Sequence, residues 1–285
     1  MPDLVDPADA VVVENLLTTL RTAVPSGRLG IAFSGGVDSS VLLGLAVRAL
    51  GSSRVVALLG VSPSLAVDER LGAHEVARGA GASLVELTTH EGENPGYRRN
   101  GPDRCFFCKD ELFSTIDREV VTTHGLSAVA YGENSDDARR PDRPGSRAAT
   151  EHAVLRPLAD AGVDKAQVRR IAHALGLPNA EKPAAPCLAS RIPHFSEVTP
   201  EKLAQVDAAE AGLRGLGLGD VRVRHHGDTA RLEVPVADIA RVAGPDLREA
   251  VLHVVRSAGF RFVALDLAGI QSGAFTLALV GVRGG

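Results

Sequence analysis

Apolar residues in the first two thirds of the chain fall into two alternating patterns. Short unbroken runs, "RVVALLGVS" at 54–62, "ASLVELTT" at 82–89 and "LSAVAYGEN" at 126–134, read as buried strands, as does the run through Ile31, Ala32 and Phe33. Between them, residues 8–22, 38–51, 68–81 and 109–125 place apolar side chains at helical spacing; Gly51 suits a helix C-terminus and Asp68 a helix start. Alternating strands and helices predict an α/β fold with a doubly wound parallel sheet of Rossmann type. Such sheets bind ligands outside the carboxyl ends of their strands. Three polar clusters follow strands there: "SGGVDSS", "GVSPS" and "YGENSDD". Residues 138–152, rich in Arg, Pro, Gly and Ser, read as a mobile loop near that rim.

Farther on, Asp164 with Gln167 forms a capping-box pattern before a helix ending at Gly176. Pro178, Pro183, Pro186 and Pro193 then forbid continuous helix or central strand, which makes this an extended connector carrying Cys187. Thr199-Pro200 starts a helix running to about Leu213. "DVRVRHHGDTARLEVP" predicts a hairpin turning at Gly227-Asp228, and a helix with a break at Gly244-Pro245 follows, then strands "FRFVALDL" and "AFTLALVGV". These elements form a smaller C-terminal α+β domain. The boundary falls within 190–198, giving domains 1–192 and 193–285.

A length of 285 residues accommodates two unequal domains. The net charge of -4 offers no electrostatic footprint for nucleic acid, and 4% aromatic residues without Trp leave little for base stacking. The N-terminus lacks a basic stretch before an apolar core, and no segment reaches the ~18 apolar residues of a membrane span. The expectation is therefore a cytoplasmic protein with no membrane and no nucleic-acid partner. Three cysteines, Cys105, Cys108 and Cys187, argue against a disulfide framework and for metal or nucleophile chemistry.

The corner "IAFSGGVDSSVL" suits phosphate. Its glycine pair admits backbone conformations closed to other residues and lets anion oxygens approach, and the following helix offers free N–H groups with a positive dipole end. Ser34, Ser39 and Ser40 add hydroxyls. Asp38 beside a polyphosphate makes sense with a cation such as Mg²⁺ between them, or as a helix cap. A plain tight turn is the bland alternative. The segment lacks the lysine of a GxxxxGK[ST] loop, but it is similar, residue for residue, to the SGGxDS signature of the PP-loop ATP pyrophosphatases, which are HUP-like folds that cleave ATP between the α and β phosphates. The resemblance implies that Ser34, Gly35, Gly36, Asp38, Ser39 and Ser40 hold pyrophosphate. Gly60, Val61 and Ser62 would lie along adenine and ribose.

"RCFFCKDELF" sets Cys105 and Cys108 at a helix start beside Arg104 and Lys109, where thiolates are favoured. By itself this CxxC is open to zinc, redox and iron–sulfur readings, zinc requiring a further ligand for which His194 is the nearest candidate. The three could also be small apolar residues, although each lies among charged or proline-rich neighbours. "RCFFCKDELF", "YGENSDD", "KPAAPCLASRIP" and "VRVRHHGDTARLEV" together resemble the LarE family over nearly the whole chain. These are ATP-dependent sulfur transferases in the synthesis of the nickel-pincer nucleotide cofactor.

The resemblance implies that ATP adenylates the carboxylates of pyridinium-3,5-biscarboxylic acid mononucleotide and that sulfur displaces AMP. Two sulfur sources occur in the family. Either Cys187 gives up its own sulfur and becomes dehydroalanine, or Cys105, Cys108 and Cys187 hold a [4Fe-4S] cluster whose open iron carries hydrosulfide from a sulfide source. With all three cysteines present and none to spare, the cluster is the preferred reading. The resemblance also assigns Arg222 and Arg224 to the substrate phosphate, although alternating charge on a hairpin is ordinarily a solvated face. It places Ser190, Arg191 and Glu210 near the reacting carboxylate, puts Asn134 and Asp137 on the ATP side, and implies a homo-oligomer, a hexamer. Glu133 stands where a neutral residue would serve. A tRNA thiolase of the same superfamily is a rival, argued against by the acidic balance; a non-catalytic nucleotide-binding protein is another, excluded by substrate-dependent pyrophosphate release.

Overall fold

The computed structural model describes residues 6–139 and 144–271. The chain divides into two compact units, one of residues 1–62, 68–91 and 105–185, the other of residues 63–67, 92–104 and 186–285.

The first unit is built on four parallel strands, β1 (Arg28–Ala32), β2 (Val55–Val61), β3 (Ser83–Thr88) and β4 (Leu126–Tyr131), in the order β3-β2-β1-β4. The unbroken apolar runs become β1 and β2 because both faces of these inner strands are covered, and Leu29, Ile31 and Val55 through Leu58 have no exposed surface. Helices Pro7–Ala23 and Lys165–Ala174 pack on helix Val37–Leu50, which follows β1. The capping box at Asp164 is present in both halves: Gln167 N donates to Asp164 Oδ1 at 2.7 Å, and Asp164 N donates to Gln167 Oε1 at 3.3 Å. Gly176 follows with φ +68.

Two expectations are corrected. The cysteine-bearing helix begins earlier than residue 109, spanning Arg104–Thr115 and widening into a π-helical stretch at Ile116–Val120, so the whole Cys-x-x-Cys motif is helical. The stretch 138–152, read as a loop, contains the helix Pro144–Glu151; residues 140–143 lie outside the described residues. Its Arg-, Pro- and Gly-rich composition concealed a buried face of small residues. Ala148 and Ala149 pack with Phe113, Ile116 and Tyr131, and a side chain at Gly145 would bring its Cβ to 2.8 Å from Lys109 Cδ.

That helix is also held electrostatically. His152 lies between two carboxylates, its Nδ1 at 3.0 Å from Asp117 and its Nε2 at 3.0 Å from Asp110. Burial pulls the imidazole pKa down, but the Asp110 and Asp117 carboxylates outweigh it and raise the pKa above the ordinary value of 6.5. A raised folded-state value stabilises fully below the unfolded pKa, and the stabilisation fades as pH rises through the folded one. Denaturant melts from pH 6 to 9 should therefore show a stability loss that His152→Ala lacks; parallel profiles for the two proteins would count against the bracket.

The second unit carries a three-stranded sheet. β5 (Arg222–His226) and β6 (Thr229–Glu233) form an antiparallel hairpin through Gly227, φ +62, and Asp228, and β7 (Phe262–Leu265) runs parallel to β6. Helices Pro200–Gly215 and Pro245–Ser257 accompany it, and Gly244 separates the latter from the short helix Ile239–Ala243, the helix break expected there. Val206, Leu213, Val223, Leu232 and Val255 form its interior. The expected strand at 274–282 lies outside the described residues. No described helix is long and apolar enough to cross a membrane.

Candidate active site

In the first unit, the corner after β1 is a pre-shaped loop. Gly35 has φ +71 and sits against the Ala73 backbone, where a side chain would meet Cα at 3.1 Å. Gly36 caps the helix Val37–Leu50 with no side-chain hydrogen bond, whereas Asp164 and Thr199 accept such bonds at the starts of their helices. The uncapped first-turn N–H groups and the helix dipole suit an anion.

The serines divide by role. Ser40 is fully buried: its hydroxyl donates to Gly36 O at 2.9 Å and accepts from Asn179 Nδ2 at 2.8 Å. Ser39 likewise donates to Gly36 O at 2.9 Å. Ser34 is exposed, and its hydroxyl accepts from Gly36 N at 3.3 Å and lies 3.3 Å from the Ser39 hydroxyl. Asp38 accepts from Asn134 Nδ2 at 2.9 Å and from Lys165 Nζ at 2.5 Å, and Asn134 also donates to Asp137 at 3.1 Å. A lysine absent from the loop itself thus reaches its aspartate from 127 residues downstream. Asp38 and Asp137 share one amide and offer the hard oxygen donors that Mg²⁺ prefers.

Ser62, after β2, donates to the buried Glu91 at 2.5 Å, and Gly60 faces Leu112. Glu133 is a buried carboxylate that accepts from Tyr131 Oη at 2.6 Å and from the hydroxyl of Ser146, with Arg156 at 3.8 Å. It ties the end of β4 to the helix Pro144–Glu151. Burial, with the Glu133 charge, pushes the Tyr131 phenol far above its ordinary range, which keeps it a hydrogen-bond donor.

In the second unit, Cys187, Ser190, Arg191, Glu210, Arg222 and Arg224 belong to one network. Cys187 is an exposed free thiol preceding the 3₁₀ turn Leu188–Arg191. Arg191 donates from Nη1 to Pro186 O at 2.6 Å and to Ser190 Oγ at 2.9 Å, and makes a two-bond fork to Glu210 at 2.8 and 3.1 Å. Glu210, 1% exposed, also accepts from Val223 N at 2.9 Å, which ties β5 to the helix Pro200–Gly215. Arg224 donates to Ser190 O at 2.9 Å and to Glu233 at 2.7 Å.

The alternating charges of β5 are therefore not a solvated face, since Arg222 and Arg224 are 6% and 4% exposed. Burial, then the neighbouring Arg191 and Arg224 charges, pull the Arg222 pKa below its ordinary value. Among the described residues no carboxylate pairs with Arg222. A crowded, desolvated cation of this kind is a ready site for an anion such as phosphate.

Cys105 and Cys108 belong to the first unit, exposed and half-buried, and none of the three cysteines forms a disulfide. Among the described residues no three His, Cys, Asp or Glu side chains stand together as a metal-holding group. Soft, reduced thiols with Cys105 at a helix start are nonetheless the donors that iron–sulfur centres take. Sequence reading did not find Lys165, Asn179, Asn100 or Glu233, and it named Arg104 for its charge beside Cys105 rather than for its contacts. Each acts through contacts with residues distant in the chain or through a strand register, and no local motif marks it.

No protein-family profile matches the chain. An uncharacterised protein of Synechocystis sp. is 41% identical over 243 residues, 85% of this chain and 90% of its own length. The pyridinium-3,5-bisthiocarboxylic acid mononucleotide synthase of Lactiplantibacillus plantarum is 35% identical over 246 residues, 86% of this chain and 88% of its own. A glutamine-hydrolysing GMP synthase of Parafrankia sp. is 27% identical over 228 residues, 71% of this chain and 42% of its own.

Proposed function

The chain belongs to the LarE family of sulfur transferases, and from that membership we propose that it is an ATP-dependent enzyme turning the two carboxylates of pyridinium-3,5-biscarboxylic acid mononucleotide into thiocarboxylates. The observation that carries this reading is the network in which Arg191 donates to Cys187 O and Ser190 Oγ, Arg224 donates to Ser190 O, and the buried Arg222 and Arg224 both donate to the Gln271 carbonyl. It sets an exposed sulfur nucleophile and a phosphate-seeking cation pair in one hydrogen-bonded frame.

Each carboxylate reacts in two steps. Its oxygen attacks the ATP α-phosphorus, forming an acyl-adenylate and releasing pyrophosphate; sulfur then attacks the acyl carbon and AMP leaves. Adenylation is needed because oxide is a poor leaving group and AMP a good one. The N–H groups of the Ser34–Ser40 loop hold the departing pyrophosphate, and Ser39 and Ser40 shape the loop through the Gly36 carbonyl. Asp38, with Asn134 and Asp137, would hold Mg²⁺ against the phosphates, while Lys165 neutralises Asp38. Gly60, Val61 and Ser62 line the nucleoside. Arg222 and Arg224 bind the substrate phosphate, and Arg191 with Ser190 orients the reacting carboxylate.

For the sulfur source we retain the three-cysteine reading, in which Cys105, Cys108 and Cys187 hold a [4Fe-4S] cluster. Such a cluster supplies one iron with an open coordination position for exogenous hydrosulfide. The alternative has Cys187 attack the adenylate and lose its sulfur by C–S cleavage. Residues 193–285 are the expected substrate-binding and oligomerisation part, in a homo-hexamer.

The test is anaerobic purification with iron and sulfide assays, then peptide mass measurement after turnover. Near-stoichiometric iron and sulfide, abolished by Cys105→Ala, with the Cys187 peptide unchanged, is the expected result. A loss of the mass of one H₂S from that peptide overturns the cluster reading in favour of sacrificial sulfur. Absence of substrate-dependent pyrophosphate release overturns the enzyme reading itself.

A further inference from the structure

We propose that Asn100, a residue outside both halves of the machinery described above, is a positioning residue for sulfur transfer: it fixes the turn that presents Cys187. Asn100 is wholly buried and lies in the left-handed region, φ +57. Its Nδ2 donates to three carbonyls, Ile192 at 3.2 Å, Pro193 at 2.8 Å and Ser196 at 3.0 Å. Its Oδ1 accepts from Arg104 Nη1 at 2.6 Å, and that same Nη1 donates to Ala189 O at 2.8 Å, inside the turn Leu188–Arg191. The Asn100 carbonyl accepts from Phe195 N at 3.1 Å, with His194 Nδ1 also 3.1 Å away. One residue thus gathers residues 189–196, the segment that contains Ser190 and Arg191 and follows Cys187.

Only a short amide meets these demands together. The position needs a residue tolerant of positive φ, a donor aimed at converging carbonyls and an acceptor for a buried guanidinium. Aspartate supplies the acceptor but turns a carboxylate oxygen toward three carbonyl oxygens. Alanine removes the donor to the carbonyls and one acceptor of Arg104, and it is strained at this φ. A second observation shows the segment to be held rather than relaxed. Phe195 also has a positive φ, +64, although the residue is 66% exposed, so burial does not hold it there, and its N–H is bonded to the backbone carbonyl of Asn100. Without the Asn100 side chain, the carbonyls of Ile192, Pro193 and Ser196 lose their shared donor and Arg104 loses its Oδ1 acceptor, so residues 192–196 are held to position 100 by the backbone bond from Phe195 N and no longer by the amide.

The inference rests on Cys187 serving sulfur transfer, so its test has a readout independent of that chemistry. Glycine adopts φ +57 without strain, so Asn100→Gly removes the amide while sparing the backbone. Hydrogen exchange at the Ile192 and Ser196 amides, bonded to Ala189 O and Pro193 O within the gathered segment, should quicken at least tenfold, and the alkylation rate of Cys187 by iodoacetamide should change at least threefold. Thiocarboxylate formation should fall at least tenfold more than substrate-dependent pyrophosphate release does. Unchanged exchange and alkylation, or an equal fall in both half-reactions, overturns the proposal. Should Asn100→Gly not fold, Arg104→Gln, which loses the fork between Asn100 and Ala189, is measured identically and judged by the same outcomes. If the unsubstituted protein releases no pyrophosphate with this substrate, the proposed function falls, while exchange and alkylation still decide the role of Asn100.

Discussion

Gly132→Ala should reduce substrate-dependent pyrophosphate release by about two orders of magnitude while leaving a folded protein. Gly132 closes β4, and a Cβ there would lie 2.6 Å from Ser39 N and 2.7 Å from Asp38 C. Those atoms are backbone in the first turn of the helix proposed to receive the pyrophosphate, so they cannot yield as a flexible side chain would. Ordinary carbon contacts need roughly 3.5–4.0 Å, so the loop and the end of β4 must part by about 1 Å. A displacement of that size in a preorganised site costs on the order of 100-fold in rate. Asp38 should also lose its bond from Asn134, two residues past Gly132. Gly79→Ala, where a Cβ meets open space, is the matched control. Release within tenfold of the unsubstituted enzyme would mean that the close approach of β4 to the loop is dispensable.

The second large effect lies in the other unit. Glu210→Ala removes the acceptor of the Arg191 fork, of Val223 N and of the Arg214 ion pair at 3.5 Å. Leaving Arg191 buried without its carboxylate should cost about 3–5 kcal/mol of stability, measured as a fall in the denaturant midpoint at constant slope. Glu210 has no oxygen free to meet a substrate, so its effect on thiolation passes through Arg191. Glu210→Gln keeps two of the acceptor geometries and should recover part of the stability. Equal losses for the two variants would refute a charge-dependent role.

Much of this fold was legible because burial and periodicity agree. β1 and β2 are continuous apolar runs with both faces covered, and the capping box at Asp164 is a purely local pattern. The helix Pro144–Glu151 was not legible, since its buried face consists of a glycine and two alanines that carry almost no hydrophobic signal. β5 misled for the opposite reason. Its alternating arginines look solvated until Glu210 and Glu233, far away in the chain or across the hairpin, are seen to bury with them. Local motifs pointed to the glycine corner and the cysteines as candidates; Asn100, Lys165 and Asn179, which brace those segments, depend on contacts over 92 to 144 residues and could not be found from spacing.

The assembly of the anion loop sets an order on the birth of the protein. Ser40 leaves the ribosome early, yet the amide that fixes its hydroxyl arrives 139 residues later with Asn179. At roughly 5–20 residues per second, that interval lasts on the order of 7–28 s, during which the glycine corner exists without its brace. A nascent chain stalled before residue 165 should therefore fail to retain nucleotide, and one extended past residue 179 should retain it. On the proposed function, the loop that would hold pyrophosphate is completed late in synthesis, when the segment around Asn179 joins it.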